Sequence, residues 1–361
     1  MEHYIGCDAH KKYSMFVTVD GSGKGISAER VEHDKELYRK YLCCLPTDSR
    51  IAIESVGNWY WMIEAMEKAG HQPILVNPKK AKLLMGHINK TDKLDARGLA
   101  MLNLNGSLPA VWIPPAELRD QRELSRMRMS LVEVRTKFKN RIHSTLSKYA
   151  ITIDEEVTDI FGKKGRLLLK AAIDALPPET RRSVEEQLLL LDQVCGQIER
   201  IEKHIREIVQ LTPMMQLIKT LPGVGDILAI VIALEIGSIE RFASAEHLAS
   251  YSGTVPRVNS SGGKTYYGRV KPDVNHYLKW AYIEAANCIA LQRDRMNGRH
   301  VAELLKRLQK QKGYAKAAVA VGRHLAEATY CMLKRNEPYQ EPNLRKAVSS
   351  SQGQTRVSHE T

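Results

Sequence analysis

No apolar run in this chain is long enough to cross a bilayer, and no apolar segment opens it as a leader. A membrane protein is thereby set aside, and a soluble, cytoplasmic one is expected. None of the six cysteines (Cys7, Cys43, Cys44, Cys195, Cys288 and Cys331) forms a Cys-x-x-Cys pair or a zinc spacing. A structural zinc site finds no support, and free thiols in a reducing compartment are expected. Negative charge is in deficit: 41 Asp and Glu stand against 54 Lys and Arg, a formal net charge of +13. That excess favours a polyanionic partner, nucleic acid ahead of an acidic membrane surface. The 361 residues, 43% of them hydrophobic, suffice for two or three domains with real cores.

Four of the acids occupy informative places. Asp8 ends the apolar run Tyr4-Ile5-Gly6-Cys7, which reads as a first strand. Glu54 ends Ile51-Ala52-Ile53, which reads as a later central strand. Asp92 and Asp95 lie in Thr91-Asp92-Lys93-Leu94-Asp95-Ala96-Arg97, the start of a helix, where a spacing of three puts both on one face. Carboxylates at the ends of buried strands are costly unless something positive meets them. Hard oxygen ligands of this kind suit Mg²⁺ or Mn²⁺. Two-metal phosphoryl chemistry needs such a set, one ion at the nucleophile and one at the leaving oxygen. Asp92 read alone is equally a helix cap or first-turn acid.

Residues 1–112 alternate strand-like and helix-like segments, with strands first as a meander and then interleaved with helices. That order predicts an RNase H-like mixed sheet. Two long helices follow, Leu118 to Tyr149 and Glu179 to Leu211, separated by Pro177-Pro178. On the second, Leu191, Val194, Ile198, Ile201, Ile205 and Ile208 step by three and four, a coiled-coil seam. Such a seam serves a helical hairpin within one chain or a dimer equally well. Residues 113–211 therefore read as a helical coiled-coil linker or oligomerisation region, and 212–337 as a mainly helical domain. Val255 to Val270 reads as a Gly/Ser-rich loop, and 338–361 as a disordered polar tail.

Leu221-Pro222-Gly223-Val224-Gly225 precedes a helix in the manner of a helix-hairpin-helix module. There Gly223 and Gly225 would let the backbone approach a phosphate, although an ordinary turn between core helices looks the same. In Pro256-Arg257-Val258-Asn259-Ser260-Ser261-Gly262-Gly263-Lys264, a serine beside glycines is an accessible nucleophile, with Arg257, Lys264 or Arg269 to carry phosphate charge. No general base is adjacent, and a flexible loop has the same composition. Lys79, Lys80 and Lys82 form a basic cluster suited to a phosphate backbone, and Tyr266 and Tyr267 are suited to stacking on bases.

Taken together these pieces resemble transposases of the insertion sequence 110 family. The resemblance rests on Tyr4-Ile5-Gly6-Cys7-Asp8, Ile53-Glu54-Ser55-Val56-Gly57, Asn89-Lys90-Thr91-Asp92-Lys93-Leu94-Asp95-Ala96, Pro222-Gly223-Val224-Gly225, Pro256-Arg257 with Ser261-Gly262, and Lys312-Gly313. It implies a RuvC-like domain with Asp8, Glu54, Asp92 and Asp95 as metal ligands. It also implies a coiled-coil linker and a C-terminal transposase domain with Ser261 as catalytic serine. The implied activity is excision and insertion of a mobile element. The implied partners are donor and target double-stranded DNA, a structured bridge RNA, and further copies of the chain as a dimer or tetramer, at the nucleoid of a bacterial or archaeal cell. Where the family shows a Ser-Lys-x-Gly-Asn-like stretch, this chain has Val270-Lys271-Pro272-Asp273-Val274-Asn275. The rival expectation is a RuvC-like nuclease or junction resolvase in which water attacks and Ser261 is only a loop residue.

Overall fold

The computed structural model describes residues 3–342, except 87–90, 154–156, 158 and 293. Asn89 and Lys90 of the motif before Asp92, and residues 343–361 of the expected tail, lie outside the described residues. The chain divides into two compact units, Met1–Pro115 and Ala116–Thr361.

The first unit runs β1 (Tyr4–Ala9), β2 (Tyr13–Val19), β3 (Gly25–Glu32), α1 (Lys35–Cys44), β4 (Arg50–Glu54), α2 (Trp59–Lys68), β5 (Gln72–Val76), α3 (Pro78–Met85) and α4 (Asp92–Leu104). Its five-stranded sheet has the order β3-β2-β1-β4-β5. β1, β2 and β3 form an antiparallel meander, while β4 and β5 lie parallel to β1 and to each other. Mixed pairing follows from the connections: short turns can join only antiparallel neighbours, whereas α1 and α2 supply the crossovers that parallel ones need.

β1 is central and covered on both faces, so its side chains part by period two. Ile5 and Cys7 enter a core with Tyr38 and Leu42 of α1 and Met62, Ile63 and Met66 of α2. Gly6 and Asp8 point the other way, toward α4. A Cβ on Gly6 would lie 2.0 Å from the Ala96 carbonyl oxygen and 2.6 Å from the Ala100 nitrogen. Only glycine lets α4 lie backbone to backbone on β1. The helix is tied down further by Asn103, whose Nδ2 donates to the Arg50 carbonyl at 2.9 Å. Thr91 caps its start by accepting from the Leu94 amide. Gly6→Ala is expected to lower the thermal stability of the protein, because overpacking costs about 1–3 kcal/mol even where side chains can yield, and here the obstacle is backbone. An unchanged melting curve by circular dichroism would contradict so close an approach.

The second unit continues with α5 (Ala116–Lys148), α6 (Lys163–Asp174), α7 (Pro178–Ile208), α8 (Pro213–Ile218), α9 (Asp226–Ile236), α10 (Ala245–Tyr251), β6 (Pro256–Ser261), β7 (Lys264–Val270), α11 (His276–Leu291), α12 (His300–Lys312) and α13 (Tyr314–Arg335). Helices α5 and α7 run antiparallel against each other, since Arg128 meets Glu202 and Tyr149 meets Thr180. On the seam read from sequence, Leu191, Ile198 and Ile205 are buried inside the chain, and Ile208 is about half exposed. Leu191 joins Ile142 and Leu146 of α5 and Leu169 and Ile173 of α6 in one core. Leu191, Ile198 and Ile205 thus pack within the chain in this structure. The sequence could not decide this, because a heptad edge looks the same to either partner.

Helices α9, α11 and α13 form the main core of this unit. Glu235 is fully buried at the end of α9. Arg126 Nε donates to it at 2.9 Å and Asn275 Nδ2 at 2.8 Å, while Arg122 and Arg241 take the nearby carbonyls. A buried carboxylate survives only with such partners. Burial pushes the Arg122 guanidinium down from its ordinary range, against the raising effect of Glu235.

The expected loop at 255–270 is instead the antiparallel hairpin of β6 and β7. Gly262 (φ 56°) and Gly263 (φ 75°) both adopt the left-handed region. That is the signature of a type I′ turn, whose twist matches a two-residue hairpin. No helix among the described residues is long and apolar enough to cross a membrane.

Candidate metal centre and exposed nucleophile

At the end of β1 the chain brings three side chains from three segments together. Asp8 comes from β1, His10 from just beyond that strand, and Asp92 from the first turn of α4. Their ligand atoms all lie within 4.8 Å of one another. His10 Nε2 is 3.2 Å from Asp8 Oδ2 and 3.2 Å from Asp92 Oδ2. That nitrogen is buried and lies against both carboxylates. Tyr13, opening β2, donates its hydroxyl to Asp92 Oδ2 at 2.7 Å. Its ring lies 4.7 Å from that of His10, and the Arg30 guanidinium sits 3.8 Å from its centre.

The Tyr13 hydrogen bond, helped by His10, holds the Asp92 carboxyl below the usual carboxylate range, and raises the Tyr13 phenol in return. Asp92 is thus ionised at neutral pH, and what the bond contributes to stability is lost only as pH falls through the lowered value. Cys7, next to Asp8, faces the opposite core, where burial pushes its thiol up to about 12. It remains a neutral thiol and belongs to packing.

The other two acids lie on β4 and α4. Ile53 pairs with Cys7 across β4 and β1, so Glu54 and Asp8 are each one step further along adjacent strands. Asp95 is one turn after Asp92 on α4, and both Asp95 and Glu54 are partly buried. Neither belongs to the group that gathers Asp8, His10 and Asp92. His10 escaped the sequence reading. Its one sequence signal is the spacing Asp8-x-His10, two residues along a chain still close to strand geometry.

Ser261 ends β6 in the second unit, exposed, and pairs with Lys264 across the Gly262-Gly263 turn. Paired residues on a hairpin share a face, and alternate pairs take opposite faces. Ser261 and Lys264 therefore lie with Asn259 and Tyr266, whereas Ser260 and Thr265 lie with Val258 and Tyr267. The Ser260 hydroxyl is 3.4 Å from that of Thr265. Arg257 and Arg269 are near the base of the hairpin, exposed and partly inside its register irregularity. Lys79, Lys80 and Lys82 all project outward from α3.

The two glycines after Leu221 divide their roles. Gly223 has φ 77°, and a Cβ there would meet the Ala285 carbonyl oxygen at 2.3 Å. Its freedom is used for packing on α11. Gly225 is exposed, with nothing near its Cβ position, and precedes the free amides of α9.

Comparison with known proteins gives two family matches in chain order. A transposase model named for the DEDD motif of IS110 elements matches residues 5–151. The model described as Transposase IS116/IS110/IS902 family matches residues 215–301. The transposase for insertion sequence element IS1111A of Coxiella burnetii is 26% identical over 342 residues, covering 93% of this chain and 90% of the relative. The transposase for insertion sequence element IS1328 of Yersinia enterocolitica is 25% identical over 252 residues, covering 69% and 73%. A probable family 20 transposase of Pseudomonas aeruginosa is 23% identical over 295 residues, covering 79% and 83%.

Proposed function

The chain belongs to the IS116/IS110/IS902 family of transposases, and we propose that it excises and inserts a mobile element through an acidic metal centre and a serine nucleophile. The observation that carries the metal reading is the convergence of Asp8 and Asp92 on the buried Nε2 of His10. Two carboxylate oxygens and a ring nitrogen gathered this closely are a donor set that a divalent cation would accept. Asp8 and Asp92 would hold it, and Glu54 and Asp95 would serve as ligands of a second ion. The strand order β3-β2-β1-β4-β5 with α4 across β1 supports an RNase H-like, RuvC-like domain. When bound, Mg²⁺ or Mn²⁺ would neutralise charge developing on the transferring phosphate.

The chain's own groups supply the rest. Tyr13 fixes the Asp92 carboxylate. Ser261 Oγ would attack a DNA phosphorus, forming a phosphoserine ester while the displaced DNA oxygen leaves as a hydroxyl. Attack of a DNA hydroxyl on that ester would release Ser261 and rejoin the strand, so bond count and energy are conserved. Lys264 and Tyr266, on the serine's face, would carry phosphate charge and stack on a base. Arg257, Arg269, Lys79, Lys80, Lys82 and the α9 start beyond Gly225 would position the backbones. Gly223 is assigned to packing instead. A structured guide RNA and self-association complete the reading, by family membership alone.

Transfer of a marked element between plasmids tests it. With the chain and the element's own flanking DNA, transcribed, excision and insertion are expected. Deleting the transcribed flank should abolish transfer, and supplying its transcript in trans should restore it. Undiminished transfer without the flank would contradict an RNA guide, and no transfer with everything present would contradict the function.

A further inference from the structure

We propose that His10 is itself a metal ligand, and that its nitrogen biases this centre toward Mn²⁺ over Mg²⁺. This rests on the reading of Asp8 and Asp92 as metal-holding residues.

The first argument is spacing. Adjacent ligands on an octahedral ion at about 2.1 Å stand roughly 3.0 Å apart. His10 Nε2 lies 3.2 Å from one oxygen of Asp8 and 3.2 Å from one oxygen of Asp92. Two of the three spacings thus already approach that of adjacent ligands, and all three ligand atoms lie within 4.8 Å of one another.

The second argument is the donor set. Nε2 is buried between one oxygen of Asp8 and one of Asp92. Imidazole nitrogen with carboxylate oxygen is a combination that transition metals accept.

The third argument is that the ring is held in advance. The His10 amide donates to the Tyr13 carbonyl at 2.9 Å. Its own carbonyl accepts from Asn58 Nδ2 at 3.0 Å. The Tyr13 ring packs against the imidazole, and the Tyr13 hydroxyl grips the very Asp92 oxygen that His10 approaches. Ligands whose orientation is fixed by surrounding contacts bind metal more tightly than free ones. His10, Tyr13 and Asn58 therefore form one supported group of side chains.

The consequence is selectivity. Mg²⁺ favours oxygen ligands and gives up water reluctantly, whereas imidazole suits the transition metals. Replacing one oxygen or water by nitrogen should cost Mg²⁺ more than Mn²⁺.

Pulsed electron paramagnetic resonance on the full chain with Mn²⁺ reads this directly. A ¹⁴N coupling from a coordinated imidazole is expected in the wild type. It should vanish in His10→Ala and His10→Gln while Mn²⁺ still binds. By calorimetry, the ratio of Mn²⁺ to Mg²⁺ affinity should fall by about tenfold or more in both variants, the scale on which changes in a ligand's surroundings act. Mn²⁺ bound in the wild type without ¹⁴N coupling, or an unchanged affinity ratio in His10→Gln, overturns the assignment of His10 and leaves the acidic centre standing. Mn²⁺ binding unaltered in Asp8→Asn overturns the centre itself, and His10 with it. If His10→Ala misfolds, the wild-type coupling and the His10→Gln variant decide the matter.

Discussion

Ser261→Ala is expected to bind DNA normally and to form no covalent protein–DNA adduct, with strand rejoining reduced on the order of 10⁶-fold, the scale of losing a catalytic serine. Ser260→Ala should remain active. The hairpin separates the two neighbours. Ser261 stands beside the type I′ turn on the face of Lys264 and Tyr266, with no Cβ contact at Gly262 or Gly263 to keep DNA away. Ser260 is on the other face, its hydroxyl near that of Thr265. Both substitutions remove one oxygen from an exposed strand, so neither should disturb the fold. Denaturing gels of reactions with end-labelled DNA read the adduct. If Ser261→Ala rejoins strands at the normal rate, water or a DNA hydroxyl is the nucleophile, and the chain's chemistry is that of a plain metal-dependent nuclease.

Asp8→Asn and Asp92→Asn should each abolish strand cleavage while leaving DNA binding intact. A metal ion contributes several kcal/mol of transition-state charge stabilisation, so losing it costs at least about 10³-fold in rate. Both changes are nearly isosteric. In Asp92→Asn the Tyr13 hydroxyl can still donate to the remaining carbonyl oxygen, and α4 still rests on Gly6. Thermal stability of the wild type should rise with added Mn²⁺, as any ligand of the folded state requires, and that rise should be absent in either variant. Single-turnover cleavage and thermal melts measure the two effects separately. Normal cleavage by both variants would remove these acids from the chemistry.

Much of the first unit could be read in the chain beforehand. The apolar run at Tyr4–Cys7 is continuous because β1 is covered on both faces, which is what a central strand demands. The acids after it were visible because a carboxylate there breaks the run. Thr91 before Asp92 is a helix-start signal in its own right, and it caps α4. His10 was not legible, because its partner Asp92 is 82 positions away and reaches it only when α4 lies on Gly6. Local pattern carries no information about such a juxtaposition. The second unit was harder for three further reasons. The buried Glu235 with its arginines looks in sequence like any charged helix end. The β6–β7 hairpin is exposed along almost its whole length, so it lacks the apolar alternation that marks a strand. The α7 seam has two possible partners in sequence, and its contact with α5 is seen only in the fold.

Crystals of the wild-type chain soaked in Mn²⁺ and measured at the manganese absorption edge offer the most direct check of the centre on which the function rests. An anomalous peak is expected between Asp8 and Asp92, about 2.1–2.2 Å from a carboxylate oxygen of each, at the end of β1 where His10 Nε2 already points. A Mn²⁺-soaked structure with no peak there, or with its manganese bound elsewhere on the chain, would contradict a metal role for these residues.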